Sequence, residues 1–181
     1  MSILKTTTFV LVLMITAAFA QQHDGGKGKQ PPLSPPAHTE TTISGKKVSI
    51  DYSAPSMRGR KIMGELVPFG QVWRTGANSA TTLKTETDLL IGGQKVPAGT
   101  YTIYSLPGEN DWKLIINKQT GQWGTVYDEK QDLARIDLKT EPLTSPVEDF
   151  TIAFDPQGGN DCRMRLDWEK TRAYADIKEK Q

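Results

Sequence analysis

The chain has 181 residues, a formal net charge of +1 and 24% charged residues, with one cysteine and two histidines. So balanced a charge gives no long-range attraction for nucleic acid, and we expect no nucleic-acid partner. A single cysteine excludes an internal disulfide, and the shortage of His and Cys argues against a zinc site. We therefore expect no metal, and the sequence also lacks the glycine-rich motifs that bind nucleotide cofactors.

Residues 1–20 have the pattern of a secretory signal peptide. Lys5 is their only charge, residues 9–15 are all apolar, and Ala18 and Ala20 form a small-x-small cleavage site. The apolar run is shorter than the roughly twenty residues that span a bilayer. We expect cleavage after Ala20, no membrane anchor after that cleavage, and an exported protein in the periplasm or outside the cell.

Residues 21–36 are rich in Gly, Pro and Gln, and Leu33 is their only large apolar residue. Such a segment buries too little apolar surface to offset the entropy lost on ordering. This composition predicts a disordered linker over 21–36 and a single folded domain over 37–181.

The folded part of the sequence has an apolar period of two, which is typical of half-buried strands. Apolar and polar residues alternate most clearly in 48–52, 101–105, 150–154 and 162–169. In the last run Cys162 falls on the apolar side, so we expect a small buried residue there rather than a reactive thiol. Paired glycines at 92–93 predict a tight hairpin.

Helical signals are few. Residues 57–69 predict an irregular or short helical stretch, and residues 128–135 predict one turn. Eight to ten short strands separated by turns predict an all-β fold. We expect a two-layer antiparallel β-sandwich, jelly-roll-like, with at most one or two short helical turns.

The alternation breaks at residues 66–81, LVPFGQVWRTGANSAT, where Trp73, Arg74 and Asn78 surround Gly76. Trp and Arg are favoured at recognition sites because a flat ring and a planar fork make large contacts at low entropic cost. These three residues are candidate ligand-binding residues. The alternative is structural: a tryptophan in the core, an arginine bonded to loop carbonyls and an asparagine capping a turn.

Three more residues complete the candidate ligand-binding set. Arg58, in the basic run RGRK, would receive an anionic group through its fork, although a solvated loop explains the run as well. Trp123 and Tyr127 lie in a poorly alternating segment where a sugar would stack. Trp123 would equally plug the open end of the sandwich, and we expect the plug.

The motif WRTGAN, with RGRKIMGELVPFG before it and LLIGGQKVPAGTYTIYSLPG after it, resembles a secreted bacterial family known as domain of unknown function 2911. The resemblance extends over about residues 37–177. It implies an all-β exported domain, and it implies no activity, cofactor or catalytic residue.

The sequence contains no G-x-S-x-G, H-E-x-x-H or P-loop motif, and its histidines, His23 and His38, are badly placed for a triad. We leave catalytic residues unassigned and expect non-catalytic binding of a small molecule, a glycan or an envelope protein. One alternative is a hydrolase in which Glu65 or Asp128 converges with Arg74. Another is an assembly module that pairs through an exposed strand edge.

Overall fold

The computed structural model describes residues 32–180. The predicted signal peptide, residues 21–31 of the predicted linker and His23 lie outside the described residues. Nine strands and one 3-10 turn follow in chain order: β1 Pro36–Ile43, β2 Lys46–Ser53, β3 Thr82–Thr85, β4 Leu89–Ile91, β5 Gln94–Val96, β6 Gly99–Leu106, β7 Trp112–Asn117, the turn Glu129–Gln131, β8 Asp132–Gly158 and β9 Asp161–Glu179. Within residues 32–180, no helix has the length and apolar character needed to cross a membrane.

The nine strands form one antiparallel sheet in the order β1-β2-β3-β6-β7-β8-β9-β4-β5. Strand β8 changes partner along its length, pairing with β7 up to Leu138 and with β9 from Lys139 onward. Its register shifts between Pro142 and Val147 and again before Thr151, and such irregularities bend a strand. The fold is therefore all-β and sandwich-like, as predicted, and β1 and β5 are the end strands.

One hydrophobic core is shared by the two halves of the sheet, the half from β1 to β7 and the half that contains β9, β4 and β5. Leu83 of β3 and Ile103 of β6 come from the first half and Leu166 of β9 from the second, and all three are buried in the same cluster. Burying each such side chain contributes about 1.5–3 kcal/mol. The Tyr52 hydroxyl of β2 also accepts a hydrogen bond at 3.1 Å from the backbone N–H of Ile152 in β8. Apolar burial and this bond hold the two halves together.

Cys162 is a free, buried thiol in the same core, as its place in the alternation predicts. Burial is the main cause that raises the pKa of its thiol. A raised pKa disfavours the thiolate, which is the reactive form.

The predicted hairpin at Gly92 and Gly93 is confirmed. These residues connect β4 to β5 with φ angles of +54° and +84°. A Cβ atom on Gly92 would lie 2.6 Å from Cγ2 of Ile136, so close packing as well as the turn requires glycine there.

Residues 57–69 form turns and contain no helix, which confirms the irregular alternative. The carboxylate of Glu169 accepts hydrogen bonds from the backbone N–H groups of Ile62 and Met63, at 3.3 and 3.0 Å. The carboxylate of Glu148 accepts one from the N–H of Arg58 at 2.7 Å. These distant partners satisfy the N–H groups that a helix would have used.

The predicted turn within 128–135 is present as the 3-10 turn. Asp128 caps it, because its carboxylate accepts a hydrogen bond from the backbone N–H of Lys130 at 3.0 Å. The linker was predicted to extend to residue 36. In the structure the carbonyl of Pro35 accepts a bond from Ala54 at 2.9 Å, and β1 begins at Pro36.

Candidate functional site

An open cavity of about 270 Å³ lies beside the loops that follow β2. Its walls include three arginines and two tryptophans: Arg58, Arg60, Arg74, Trp73 and Trp168. We call this space the arginine cavity. No aspartate or glutamate of the described chain lines it; its other walls are small or apolar residues and two serines.

Trp73 is fixed between the sheet and the aromatic core. Its backbone N–H and carbonyl bond to those of Ser105 in β6, at 2.7 and 2.9 Å. Its ring stacks on Trp168 with centroids 5.6 Å apart, and Phe150 meets it edge-on at 4.9 Å. The indole is thus half-buried, with part of its surface left to form the cavity wall.

The backbone just after Arg74 is held in an unusual conformation. Thr75 is fully buried with a φ of +53°, although left-handed backbone is unfavourable for a β-branched residue. Its hydroxyl donates to Oγ of Ser105 at 3.0 Å, and its carbonyl accepts from the Thr81 hydroxyl at 2.8 Å. Strain of this kind costs on the order of 1–3 kcal/mol and is concentrated at functional sites.

Gly76 continues this tight path with a φ of +147°. A Cβ atom there would lie 2.9 Å from Oγ1 of Thr81 and 3.0 Å from the carbonyl oxygen of Ser53. Glycine is therefore required for the loop to approach β2 so closely.

Arg74 is the chemically unusual residue of the site. Its Nε is buried without a hydrogen-bond partner, and its guanidinium has no hydrogen bond or ion pair with any residue in 32–180. The aliphatic part of the side chain passes against Gly124, where a Cβ atom would lie 2.7 Å from Cδ of Arg74. The alternative in which Arg74 bonds to loop carbonyls is therefore wrong.

The other two arginines are anchored but not neutralised. Nη2 of Arg58 donates to the carbonyl of Leu33 at 2.7 Å. Arg60 donates from Nε to the carbonyl of Met57 and from Nη2 to that of Ser56, at 2.9 and 2.6 Å. Neither guanidinium has a carboxylate partner in the described part of the chain. The carbonyls thus fix the direction of two cations whose charge is not cancelled.

A smaller cavity of about 200 Å³ shares Arg74 and Trp73 with the arginine cavity, and Tyr127 forms part of its wall. The Tyr127 hydroxyl is 2.7 Å from Oδ2 of Asp132 and 2.9 Å from Nη2 of Arg135. Burial first, and then the bond to Asp132, raises the pKa of Tyr127 to about 12. Its hydroxyl is neutral and already bonded, so Tyr127 offers a wall rather than a polar contact.

Asn78 and Trp123 lie outside both cavities. Asn78 has a φ of +59°, donates to the carbonyl of Ser34 at 3.4 Å and accepts from the N–H of Gly124 at 2.9 Å. It therefore supports the loop through a distant segment of the chain. Trp123 is 56% exposed, so the predicted plug is wrong: Gly124 is the buried residue here, because it packs against Arg74.

The convergence of acids required by the hydrolase alternative is not present among the described residues. Glu65 pairs with Lys61 at 3.4 Å on the surface, and Asp128 caps the 3-10 turn. Neither carboxylate lines a cavity with Arg74.

Sequence reasoning missed Trp168 and Gly124, and it included Arg60 only as a member of the RGRK run. Trp168 belongs to the last alternating strand, which indicates the core and nothing more. Gly124 carried no signal, because its role depends on contact with a side chain fifty residues earlier.

The family model described as "Protein of unknown function (DUF2911)" matches residues 34–177. The chain belongs to this family. The match confirms the resemblance seen in the sequence, and in this DUF2911 chain it includes all the cavity arginines. No curated protein and no solved structure gave a match.

Proposed function

We propose that this DUF2911 protein is exported and binds a small molecule in the arginine cavity without chemically changing it. The observation that carries the proposal is the unpartnered guanidinium of Arg74 beside Trp73. A buried polar group without a partner costs about 1–3 kcal/mol, and more if it is charged. A bound molecule that accepts hydrogen bonds from the terminal Nη groups of the same guanidinium offsets part of that cost.

The size and mixed character of the cavity support a small ligand. Small-molecule sites typically have volumes of about 300–1,000 Å³ and combine apolar walls with a few polar groups. The arginine cavity, at about 270 Å³, lies just below that range and has this combination. It is too small for a folded partner, and the exposed Trp123 lies outside it.

The chemistry of the cavity walls supports binding rather than catalysis. Ser56 lines the cavity and donates its hydroxyl hydrogen to Asp149. That bond joins two backbone segments that are already paired at Ser56 and Asp149, and no histidine, lysine or cysteine of the described chain lies on the same walls. The proposed role is therefore recognition or carriage.

Export is proposed from the first twenty residues, whose basic start, short apolar run and Ala18–Ala20 ending fit a cleaved signal peptide. Expression in a bacterial host followed by fractionation and N-terminal sequencing tests this. We expect the exported fraction to begin at Gln21. A full-length chain confined to the cytoplasm would contradict export without affecting the cavity.

Binding is tested by a ligand-observed NMR screen of a small-molecule library against the mature protein. We expect compounds that bind the wild type and lose at least about tenfold in affinity, or about 1.4 kcal/mol, with Arg74→Met. Lys95→Met removes one positive charge from an exposed site on β5 and is the matched control. A screen in which no compound depends on Arg74 would contradict the proposal.

A further inference from the structure

We infer that the ligand of the arginine cavity is a small organic anion, with its acidic group on Arg74 and a compact apolar group against Trp73. This inference rests on the proposed function and adds the chemical class of the ligand. Carboxylates and phosphate monoesters share the chemistry involved, because both present two oxygens to the planar arginine fork.

The charge of the cavity selects an anion. Arg58, Arg60 and Arg74 all line it, and no acidic residue in 32–180 shares its walls. The nearby acids bond to other groups than the guanidiniums: Glu148 and Glu169 accept from backbone N–H groups, and Asp149 accepts from the Ser56 hydroxyl. A neutral ligand would leave these positive charges uncompensated, whereas an anion gains from all of them.

The arrangement of the three arginines assigns the main contact to Arg74. The guanidiniums of Arg58 and Arg60 donate hydrogen bonds to backbone carbonyls, and these bonds fix their orientation before a ligand binds. The Nε of Arg74 is buried without a hydrogen-bond partner, so the terminal Nη groups are the donors that this guanidinium can offer to a ligand. Packing of its aliphatic part against Gly124 holds the Arg74 side chain in place, and less order is then lost on binding.

The apolar part of the wall selects an organic rather than an inorganic anion. Trp73 lines the cavity and is half-buried, and Leu66, also on its wall, is 46% exposed. Leu33 lies on the same wall and is 70% exposed. A ligand with an apolar group covers these surfaces and removes them from water, and a bare phosphate ion does not.

Isothermal titration of the mature full-length protein with four probes tests the inference. The probes are benzoate, phenyl phosphate, benzamide as the neutral counterpart of benzoate, and inorganic phosphate. We expect benzoate to bind at least about tenfold more tightly than benzamide, and phenyl phosphate more tightly than inorganic phosphate. Affinity for both organic anions should fall as the salt concentration rises, because counter-ions screen the arginines.

Variants locate the site. Arg74→Met should abolish binding of the organic anions, Arg74→Lys should retain part of it because the charge remains without the fork, and Lys95→Met should leave it unchanged. A readout that needs no variant is the indole N–H spectrum of the wild type. Benzoate should shift the Trp73 signal and leave that of Trp112, a buried residue of β7, in place.

Three results would overturn the inference. Equal affinity for benzamide and benzoate would exclude anion selection, while the small-molecule proposal would stand. Equal affinity for inorganic and phenyl phosphate would exclude the apolar contact. If none of the four probes binds, the organic-anion class is wrong, and the library screen decides separately whether the cavity binds any small molecule.

Discussion

The protein carries two groups of arginines with opposite surroundings. Those of β9 each face a carboxylate at 2.8 or 2.9 Å: Arg163 with Asp176, Arg165 with Asp155, and Arg172 with Asp167. The three arginines of the arginine cavity have no carboxylate partner among residues 32–180. Charges of the first kind hold the fold together, and charges of the second kind remain available to a ligand.

The difference also appears in the protonation energetics of β9. Hydrogen bonding to Asp167 is the largest cause that raises the pKa of Arg172, so the folded protein stabilises that charge. Arg74 has no such partner, and its Nε is buried with its hydrogen unused. The arginines of β9 are paired with carboxylates, whereas Arg74 is not, and an unpaired arginine beside a cavity is the arrangement expected of a binding site.

The largest expected effect comes from breaking the paired group at Asp167. This carboxylate is 2% exposed and receives two hydrogen bonds from Arg172, each 2.8 Å long, and one from Arg165. Asp167→Ala leaves two partly buried cations without it and should lower the free energy of unfolding by about 3 kcal/mol in urea denaturation. Asp137→Ala, a surface pair with Lys113, is the control and should cost less than about 1 kcal/mol.

Ligand affinity should be unchanged in Asp167→Ala, because Asp167 does not line the arginine cavity. Equal destabilisation by both aspartate variants would remove the distinction between the two groups of arginines.

The next effect concerns the backbone that presents Arg74. Gly76→Ala adds a Cβ atom 3.0 Å from the Ser53 carbonyl at a φ of +147°, and should cost about 2 kcal/mol or more. Gly70→Ala is the matched control: its φ is +71° with nothing within 4 Å, so only the conformational cost of about 1 kcal/mol is expected. Thermal and urea unfolding measure both, and a Gly76 variant as stable as the Gly70 variant would show that the loop has room to adapt.

Tyr127 offers a smaller and more selective change. Tyr127→Phe removes the hydroxyl that bonds to Asp132 and Arg135 and should cost about 1 kcal/mol. Affinity for benzoate should not change, because that hydroxyl is already occupied by protein partners. A loss of affinity without a loss of stability would show that the Tyr127 hydroxyl contacts the ligand directly, which contradicts its assignment as part of the wall of the smaller cavity.

The smallest effect is a pH dependence on the exposed face of β1 and β2. Hydrogen bonds, first to Asp51 and then to Glu40, raise the pKa of His38 above its usual 6.5. This stabilisation is complete below 6.5 and is lost as the pH rises through the raised pKa. The two carboxylates have the opposite pH dependence. Hydrogen bonding to His38 is the main cause that lowers the pKa of Asp51, and hydrogen bonds to Lys47 and then His38 lower that of Glu40. The stabilisation that these carboxylates contribute is lost as the pH falls below their usual pKa values of 3.8 and 4.5.

The cluster therefore contributes most between pH 4.5 and 6.5. The melting temperature of the wild type relative to His38→Gln should decline slightly between about pH 6 and pH 8. A difference that stays constant over that interval would mean that the imidazolium adds nothing to stability.

Alternation in the sequence was sufficient to predict the strands that lie half in the core. Residues 162–169 illustrate this, although the strand they belong to continues to Glu179. Strand β8 was not predicted through residues 139–149, because KTEPLTSPVED has no clean period and two prolines. Its extended path is supplied by pairing with β9, which only the folded chain contains.

The site was predicted in part for the same reason. Trp73 and Arg74 stood out by residue type within a segment that does not alternate, and the structure places both on the cavity wall. Their neighbours could not be inferred, because Trp168 stacks on Trp73 from far along the chain. Nor does local sequence distinguish an arginine bonded to carbonyls from one without a partner, since both occur in polar loops.

The most direct test of the central claim compares the free energies of unfolding of Arg74→Met and Arg172→Met, without ligand, in urea. Methionine keeps much of the aliphatic contact in both. The account predicts that Arg74→Met changes stability by less than about 0.5 kcal/mol or increases it, and that Arg172→Met lowers it by about 2 kcal/mol. If Arg74→Met is destabilised as much as Arg172→Met, Arg74 stabilises the fold and is not an unpaired group available to a ligand.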